Sequence, residues 1–262
     1  VKSPNVVIVG YGHVGHGMAK IFPWAQRHDP ELDYEYDPTL GDVDLAVICV
    51  PTPRAPNGAC DTSIVEEAVR DIDARLYLIK STVKPGTCER LATTYGKRIV
   101  FSPEYMGESR YWTPPQFPQP ADPVGHGFVI LGGESAHCSA IADMMLPVLG
   151  PGTRFRFMES HEAELVKYFE NCFFALKVTF ANEMRDICRG LGANYHVVRE
   201  GWLDDPRVGP MHSVAFADAP GFDGKCLPKD LSALLGVCRE RQHHSALLEA
   251  VAAANRDRRK ES

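Results

Sequence analysis

Short apolar runs separated by longer stretches of mixed polarity dominate the first part of the chain. Residues 5–9 form the first run, and a glycine-rich turn and a helical stretch through Ile21 follow it at once. Residues 33–37 alternate in the manner of a second strand, and 44–50 are apolar enough for a third strand buried on both faces. Helical spacing covers 62–71, with Thr62 or Ser63 as the cap and Glu66 and Glu67 in the early turns. Further strands are predicted at 76–80, 98–101, 126–131 and 153–157, with helices at 85–95 and 134–146. Such alternation predicts an α/β fold, a Rossmann-like doubly wound parallel sheet. Residues 111–125 hold five prolines (114, 115, 118, 120 and 123), which exclude helix and central strand and predict a surface excursion.

The pattern changes after Met158. Apolar residues at helical spacing run from 161 to 189, namely Leu165, Tyr168, Phe169, Cys172, Leu176, Thr179, Met184 and Ile187. Gly190 and Gly192 can end that helix. A short helix is predicted at 195–202, a long loop at 203–226, and two helices at 229–241 and 244–260. The expected division is a Rossmann-like domain at 1–158 and an all-helical domain at 159–262.

Charge narrows the partners. With 28 basic and 34 acidic residues the chain carries a net −6, which argues against a nucleic-acid or membrane surface as main partner. Arg256, Arg258, Arg259 and Lys260 cluster near the end and are expected to form a solvated tail. No apolar run approaches the roughly 20 residues of a membrane span, and no leader is expected before the first strand. The eight cysteines are scattered without C-x-x-C pairs, the signature of reduced thiols in a cytoplasmic protein and of neither a disulfide frame nor a metal site.

Two motifs carry chemistry. The first is Gly10-Tyr11-Gly12-His13-Val14-Gly15, set between a strand and a helix. Glycines there permit a tight turn and close approach of the backbone to a pyrophosphate, which the helix N-terminus then faces. Asp37 ends the predicted second strand, where a carboxylate accepts from a ribose diol and repels a 2′-phosphate, so NAD is expected over NADP. The second motif runs from Gly221 to Asp230 and sets Cys226 in a glycine-rich turn between Lys225 and Lys229, with Pro228 at a helix start. A helix N-terminus and two positive charges favour a thiolate. Spacing alone leaves a reactive thiol and an incidental one both open.

Taken in order, these pieces resemble the UDP-glucose/GDP-mannose dehydrogenase family along nearly the whole chain. The series comprises Gly10 to Gly15, Val50-Pro51-Thr52-Pro53, Ser81-Thr82-Val83 with Pro85-Gly86-Thr87, and Ser102-Pro103-Glu104. It continues with Lys167-Tyr168-Phe169-Glu170-Asn171 and ends with the cysteine loop. The resemblance implies an NAD-dependent, four-electron oxidation of a nucleotide sugar to its acid, with UDP-glucose to UDP-glucuronate as the leading reaction. It makes Cys226 the nucleophile of a thiohemiacetal and thioester route. Asp230 becomes the carboxylate that, with a water, deprotonates the alcohol. Lys167 and Asn171, one helical turn apart, become the groups facing an oxyanion. Glu104 becomes the base for thioester hydrolysis, with Thr82 near the water. Gly10, Gly12, His13, Val14, Gly15, Asp37, Pro51, Thr52, Ser81, Thr82 and Glu108 are then expected at the cofactor. Arg207, Phe222 and Gly224 join Glu104, Lys167, Asn171 and Cys226 at the sugar, with Arg207 reaching it from a neighbouring subunit of a homodimer joined through the helical domain. On residue chemistry alone, Lys167 is a solvated position, Glu104 a helix-start acid and Arg207 a loop arginine paired with Asp204 or Asp205.

Two departures stand out. The family loop has glycine where this chain has Asp223, which adds a negative charge near the thiol and the substrate diphosphate. Family members also carry a third, nucleotide-binding domain, and the chain is expected to lack it or to receive it from another chain. Two other readings therefore stand beside the first: a GDP-mannose 6-dehydrogenase or related sugar dehydrogenase, and an NAD-binding or partner-binding protein without turnover.

Overall fold

A computed structural model of the chain describes residues 3–55, 58–106, 122–224 and 226–260. The chain divides into two compact units, Val1–Ala55 with Cys60–Lys167, and Pro56–Ala59 with Tyr168–Ser262.

The first unit is built on a sheet of seven strands. These are β1 (Val6–Val9), β2 (Gln26–His28), β3 (Val43–Ile48), β4 (Ala74–Ile79), β5 (Ile99–Phe101), β6 (Phe128–Gly132) and β7 (Arg154–Met158), in the order β2-β1-β3-β4-β5-β6-β7. Alternation along the strands sorts side chains to two faces. Val7, Val9, Ile48 and Tyr77 pack with Val65 and Val69 of α2 (Ser63–Asp71) and Leu91 of α3 (Thr87–Tyr95). Val6, Ile8, Val47 and Leu78 pack on the other face with Met18 and Ile21 of α1 (His13–Ile21) and Ile141 and Met145 of α4 (Ser135–Leu149). Burial of each such aliphatic side chain contributes about 2 kcal/mol, which makes this sandwich the main support of the crevice above the strand ends.

The sheet departs from the expected one in two places. All adjacent strands run parallel except β5 and β6, which meet antiparallel through Phe101 and Gly132. Most of the proline-rich stretch expected as a surface excursion lies between them, and its residues 111–121 are outside the described residues. The second departure is β2. It is Gln26–His28, while Asp33 takes a left-handed conformation (φ 56°) and Asp37 caps a 3-10 turn at Pro38–Leu40. An edge strand made of Gln, Arg and His carries no apolar signal, and the alternating 33–37 stretch mimics one.

A buried carboxylate ties the opening turns of α5 (Ser160–Gly190) to α3. Gly86 is the N-cap of α3 and has no side chain to cap it. Glu164, with 0 % of its surface exposed, accepts instead from the Gly86 N–H at 2.5 Å and the Cys88 N–H at 2.9 Å. Burial raises its carboxyl above the ordinary value, and these backbone bonds draw it partly back.

The second unit is helical: the part of α5 from Tyr168 onward, α6 (Tyr195–Leu203), α7 (Leu227–Glu240) and α8 (Ala246–Lys260). Ala181, Cys188, Tyr195 and Ala215 form a small core, and the Tyr195 hydroxyl donates to Ser213 O at 2.7 Å. The basic residues near the end are not all a solvated tail. Arg258 pairs with Asp186 of α5 and Arg259 with Asp223, whereas Arg256 and Lys260 are exposed. Among the described residues no helix is long and apolar enough to cross a membrane, and no group of three or more His, Cys, Asp or Glu could hold a metal ion.

Candidate functional site

β1 lies between β2 and β3, so its carboxyl end opens onto a topological switch point, the place where doubly wound sheets bind ligands. The glycine loop starts there. Gly10 (φ 85°) donates to His28 O at 2.9 Å, and a Cβ on it would lie 2.8–2.9 Å from the Cys49–Val50 backbone. A Cβ on Gly15 would collide with Gly10 O. Gly12, the N-cap of α1, has nothing within 4 Å of an added Cβ. Two glycines thus admit the protein's own backbone, and the third leaves open space above a helix N-terminus, the arrangement a dinucleotide diphosphate requires. His13 and Val14 form the first turn of α1, His13 exposed and Val14 half-buried.

Asp37 does not stand at this crevice. Its N–H donates to Gln26 Oε1 at 2.8 Å, and Gln26 Nε2 in turn donates to Asn5 Oδ1 at 3.2 Å, which places Asp37 at the opposite, amino-terminal end of β1 and β2. The residue that follows β2 is Asp29. Its Oδ2 accepts from the Tyr11 N–H at 2.6 Å, inside the glycine loop. The sequence signal for Asp29 was present as the acid closing Gln-Arg-His-Asp, but the strand before it is too polar to stand out.

The ends of β3 and β4 lie side by side. Ser81 Oγ donates to Val50 O at 2.7 Å, so this hydroxyl joins the two strand ends. The Cys60 thiol donates to Thr82 O at 3.2 Å. Pro51 is exposed, and Thr52 and Thr82 are half-buried.

Glu104 follows β5 in the same unit. Its Oε1 accepts from the Met106 N–H, and its backbone carbonyl accepts from Lys167 Nζ at 2.5 Å. Its Oε2 is buried without a hydrogen bond and lies 3.7 Å from Lys80 Nζ. Lys80 is itself buried and donates to Ser102 Oγ at 3.2 Å and Pro103 O at 3.0 Å. The sequence reading passed over Lys80, although a lysine closing the apolar run Leu-Tyr-Leu-Ile is a visible anomaly. Glu108 lies outside the described residues.

In the helical unit Cys226 is exposed at the N-cap of α7, while the other cysteines are buried or half-buried. One turn on, Asp230 is 1 % exposed, and its two oxygens accept from Lys229 Nζ at 2.7 Å and Asn171 Nδ2 at 2.5 Å. Lys167 and Asn171 therefore each have a partner of their own, the Glu104 carbonyl for one and Asp230 for the other. Arg207 is held by Asp205 through bonds of 2.6 to 3.1 Å with its side chain 88 % exposed, the pairing that residue chemistry alone anticipates. Phe222 is buried, and Gly224 (φ 86°) has open space around it.

Against known proteins, residues 25–141 match the domain described as UDP-glucose/GDP-mannose dehydrogenase family, NAD binding domain, and residues 161–257 match the same family's central domain. The chain belongs to the UDP-glucose/GDP-mannose dehydrogenase family. It is 29 % identical over 254 residues to a UDP-glucose 6-dehydrogenase of Rickettsia bellii, covering 92 % of this chain and 56 % of that protein. A Pseudomonas aeruginosa UDP-glucose 6-dehydrogenase is 30 % identical over 232 residues, covering 82 % of this chain and 49 % of its own length. The chain thus spans about half the length of the curated relatives it matches. Among solved structures, a UDP-glucose dehydrogenase from Pyrobaculum islandicum superposes with a TM-score of 0.77 at 25 % identity, covering 97 % of this chain and 68 % of that one. The first unit therefore carries the NAD-binding domain of this family, and its glycine loop has the open side that the cofactor's diphosphate needs.

Proposed function

We propose that the chain is an NAD-dependent nucleotide-sugar dehydrogenase that oxidises the sugar's primary alcohol to a carboxylate, with UDP-glucose as the leading substrate. The supporting observation is the exposed Cys226 thiol at the N-cap of α7, one turn before a buried Asp230 that is hydrogen-bonded to Asn171. Gly10, Gly12 and the N-terminus of α1 would hold NAD, which would supply a hydride acceptor for each of the two oxidations. Asp230, through a water, takes the proton of the alcohol, and its bonds from Asn171 and Lys229 orient it. The Cys226 sulfur then adds to the aldehyde carbon, and the aldehyde oxygen becomes the hydroxyl of a thiohemiacetal. The second hydride leaves the same carbon as the thiohemiacetal hydroxyl gives its proton to water, and a thioester remains. Glu104 takes a proton from water as that water attacks the thioester carbon, and the C–S bond breaks to release the acid. Lys167 faces the developing oxyanion in this scheme, and Thr82 orients the water. NADH production over a panel of nucleotide sugars, with the acid quantified, tests the reading. Two NADH per acid supports it. NAD binding without reduction on any nucleotide sugar overturns it.

For the cofactor, Asp29 in this reading accepts from the adenosine ribose, and its charge disfavours a 2′-phosphate. Asp29→Asn is expected to weaken NAD binding about tenfold and to narrow the preference over NADP, whereas Asp37→Asn changes neither. Calorimetric titration of both cofactors checks this, and an effect confined to Asp37→Asn would reverse the assignment.

The helical unit is proposed to pair with a second copy. Phe169, Phe173, Phe180 and Ile187 expose an apolar face of α5, and Val197 and Val198 expose one of α6, more than a free surface ordinarily carries. Phe173→Asp with Phe180→Asp is expected to turn a dimer into a monomer at micromolar concentration by light scattering. A monomeric wild type removes the proposal, together with any role for Arg207 across the interface.

A further inference from the structure

The turn before Cys226 is fastened by helices of its own unit. Gly221 N–H donates to Asn182 Oδ1 of α5 at 3.2 Å. Asn255 of α8 takes both backbone groups of the next residue: Phe222 N–H donates to its Oδ1 at 2.8 Å, and its Nδ2 donates to Phe222 O at 3.0 Å. One turn further along α8, Arg259 Nη2 donates to Asp223 Oδ2. Gly221 (φ 81°) is adapted to this contact, since a Cβ there would lie 2.5 Å from Asn255 Oδ1. Arg258, between these two residues, anchors α8 to Asp186 of α5.

We infer that Asn255 and Arg259 are positioning residues for the Cys226 loop, and that Arg259 is the counter-charge for the aspartate standing where the family pattern has glycine. The inference rests on the reading of Cys226 as the nucleophile. Residues 221–223 are held, and in the chain only two residues separate this clasp from Cys226 at the start of α7. The clasp also sets the local field. Asp223 stands three residues before Cys226 in the chain and Asp230 four after it; Arg259 pairs with the first and Lys229 with the second. Without Arg259, an unpaired carboxylate three residues from the sulfur opposes the thiolate.

The test reads the thiol directly. The rate of Cys226 alkylation by iodoacetamide, assigned by peptide mass spectrometry, is measured at pH 7.5 in the full chain. Arg259→Met is expected to slow it about three- to tenfold. Arg259→Lys, which keeps the charge, should stay within about twofold of wild type. Adding Asp223→Asn to Arg259→Met should restore the wild-type rate, because the uncompensated charge is gone. If Arg259 only anchored α8, the thermal midpoint would fall and Asp223→Asn would rescue nothing. An unchanged rate in Arg259→Met, or a double variant as slow as the single one, overturns the clasp. No substrate is required, so the expected rates combined with no NADH from any nucleotide sugar would sink the proposed function and leave the clasp standing. Normal turnover with no effect of Arg259→Met on the thiol would do the reverse.

Discussion

Cys226→Ser is expected to end acid formation while leaving NAD binding intact. Serine is far less acidic than a thiol and a poor nucleophile without a dedicated base, and among the described residues Cys226 makes no side-chain capping hydrogen bond. Any ester that did form would also hydrolyse more slowly than a thioester. The variant should therefore pass through at most the first oxidation, giving no more than one NADH per sugar with aldehyde held or released. Acid production should drop on the order of a thousandfold or more. Asp230→Asn fails at a different point. Its amide cannot take the alcohol proton, so the first hydride transfer slows and no aldehyde accumulates. The NADH-to-acid ratio with UDP-glucose, taken for both variants against wild type, separates the two. Full turnover to acid by Cys226→Ser would rule out the covalent route.

Loss of the Glu164 carboxylate should have the largest effect on stability. Glu164→Ala strands the Gly86 and Cys88 N–H groups at the buried start of α3 and opens a void where the side chain lay. Two unpartnered donors and the void together cost about 3–4 kcal/mol, a large share of a domain's margin. Glu164→Gln keeps the shape and one acceptor, and about half that cost is expected. The two variants also differ in pH dependence. The folded-state carboxyl is raised above its ordinary 4.5 chiefly by burial, so the folded chain holds the proton more tightly than the unfolded chain. That component of stability is complete below the unfolded value and is lost as pH rises through the folded one. Urea unfolding at pH 4.5 and pH 7 should therefore show wild type losing more stability than Glu164→Gln across this window. A parallel response of the two proteins would place the proton elsewhere.

What the sequence discloses follows from how each element is buried. β1, β3 and β4 are covered on both faces, so their residues read as predominantly apolar runs. β2 lies at the sheet edge and needs no such run, which hid both the strand and Asp29 behind it. The long helix was legible, but its buried side was not, because it has two apolar faces. Tyr168, Cys172 and Thr179 of the expected stripe are buried, whereas Phe169 and Ile187 of the same stripe are exposed. Glu164 and Lys80 were illegible for a different reason. A charged residue is read as exposed unless its partners are known, and their partners lie 76 to 78 and 22 to 23 residues away in the chain. The family resemblance, and not spacing alone, names Cys226, Asp230 and Asn171, and only the folded chain shows the amide donating to the carboxylate.

The protein's own backbone and side chains shape the glycine loop. Gly10 is hydrogen-bonded to His28, Tyr11 to Asp29, and the Gly15 backbone lies against the Gly10 carbonyl. These contacts form with the fold, so part of the ordering of the loop is a cost of folding and not of binding. Cofactor association in such a crevice is a matter of docking onto a preorganised cradle, and variation in affinity among relatives with the same loop should originate in the groups around it, Asp29 foremost.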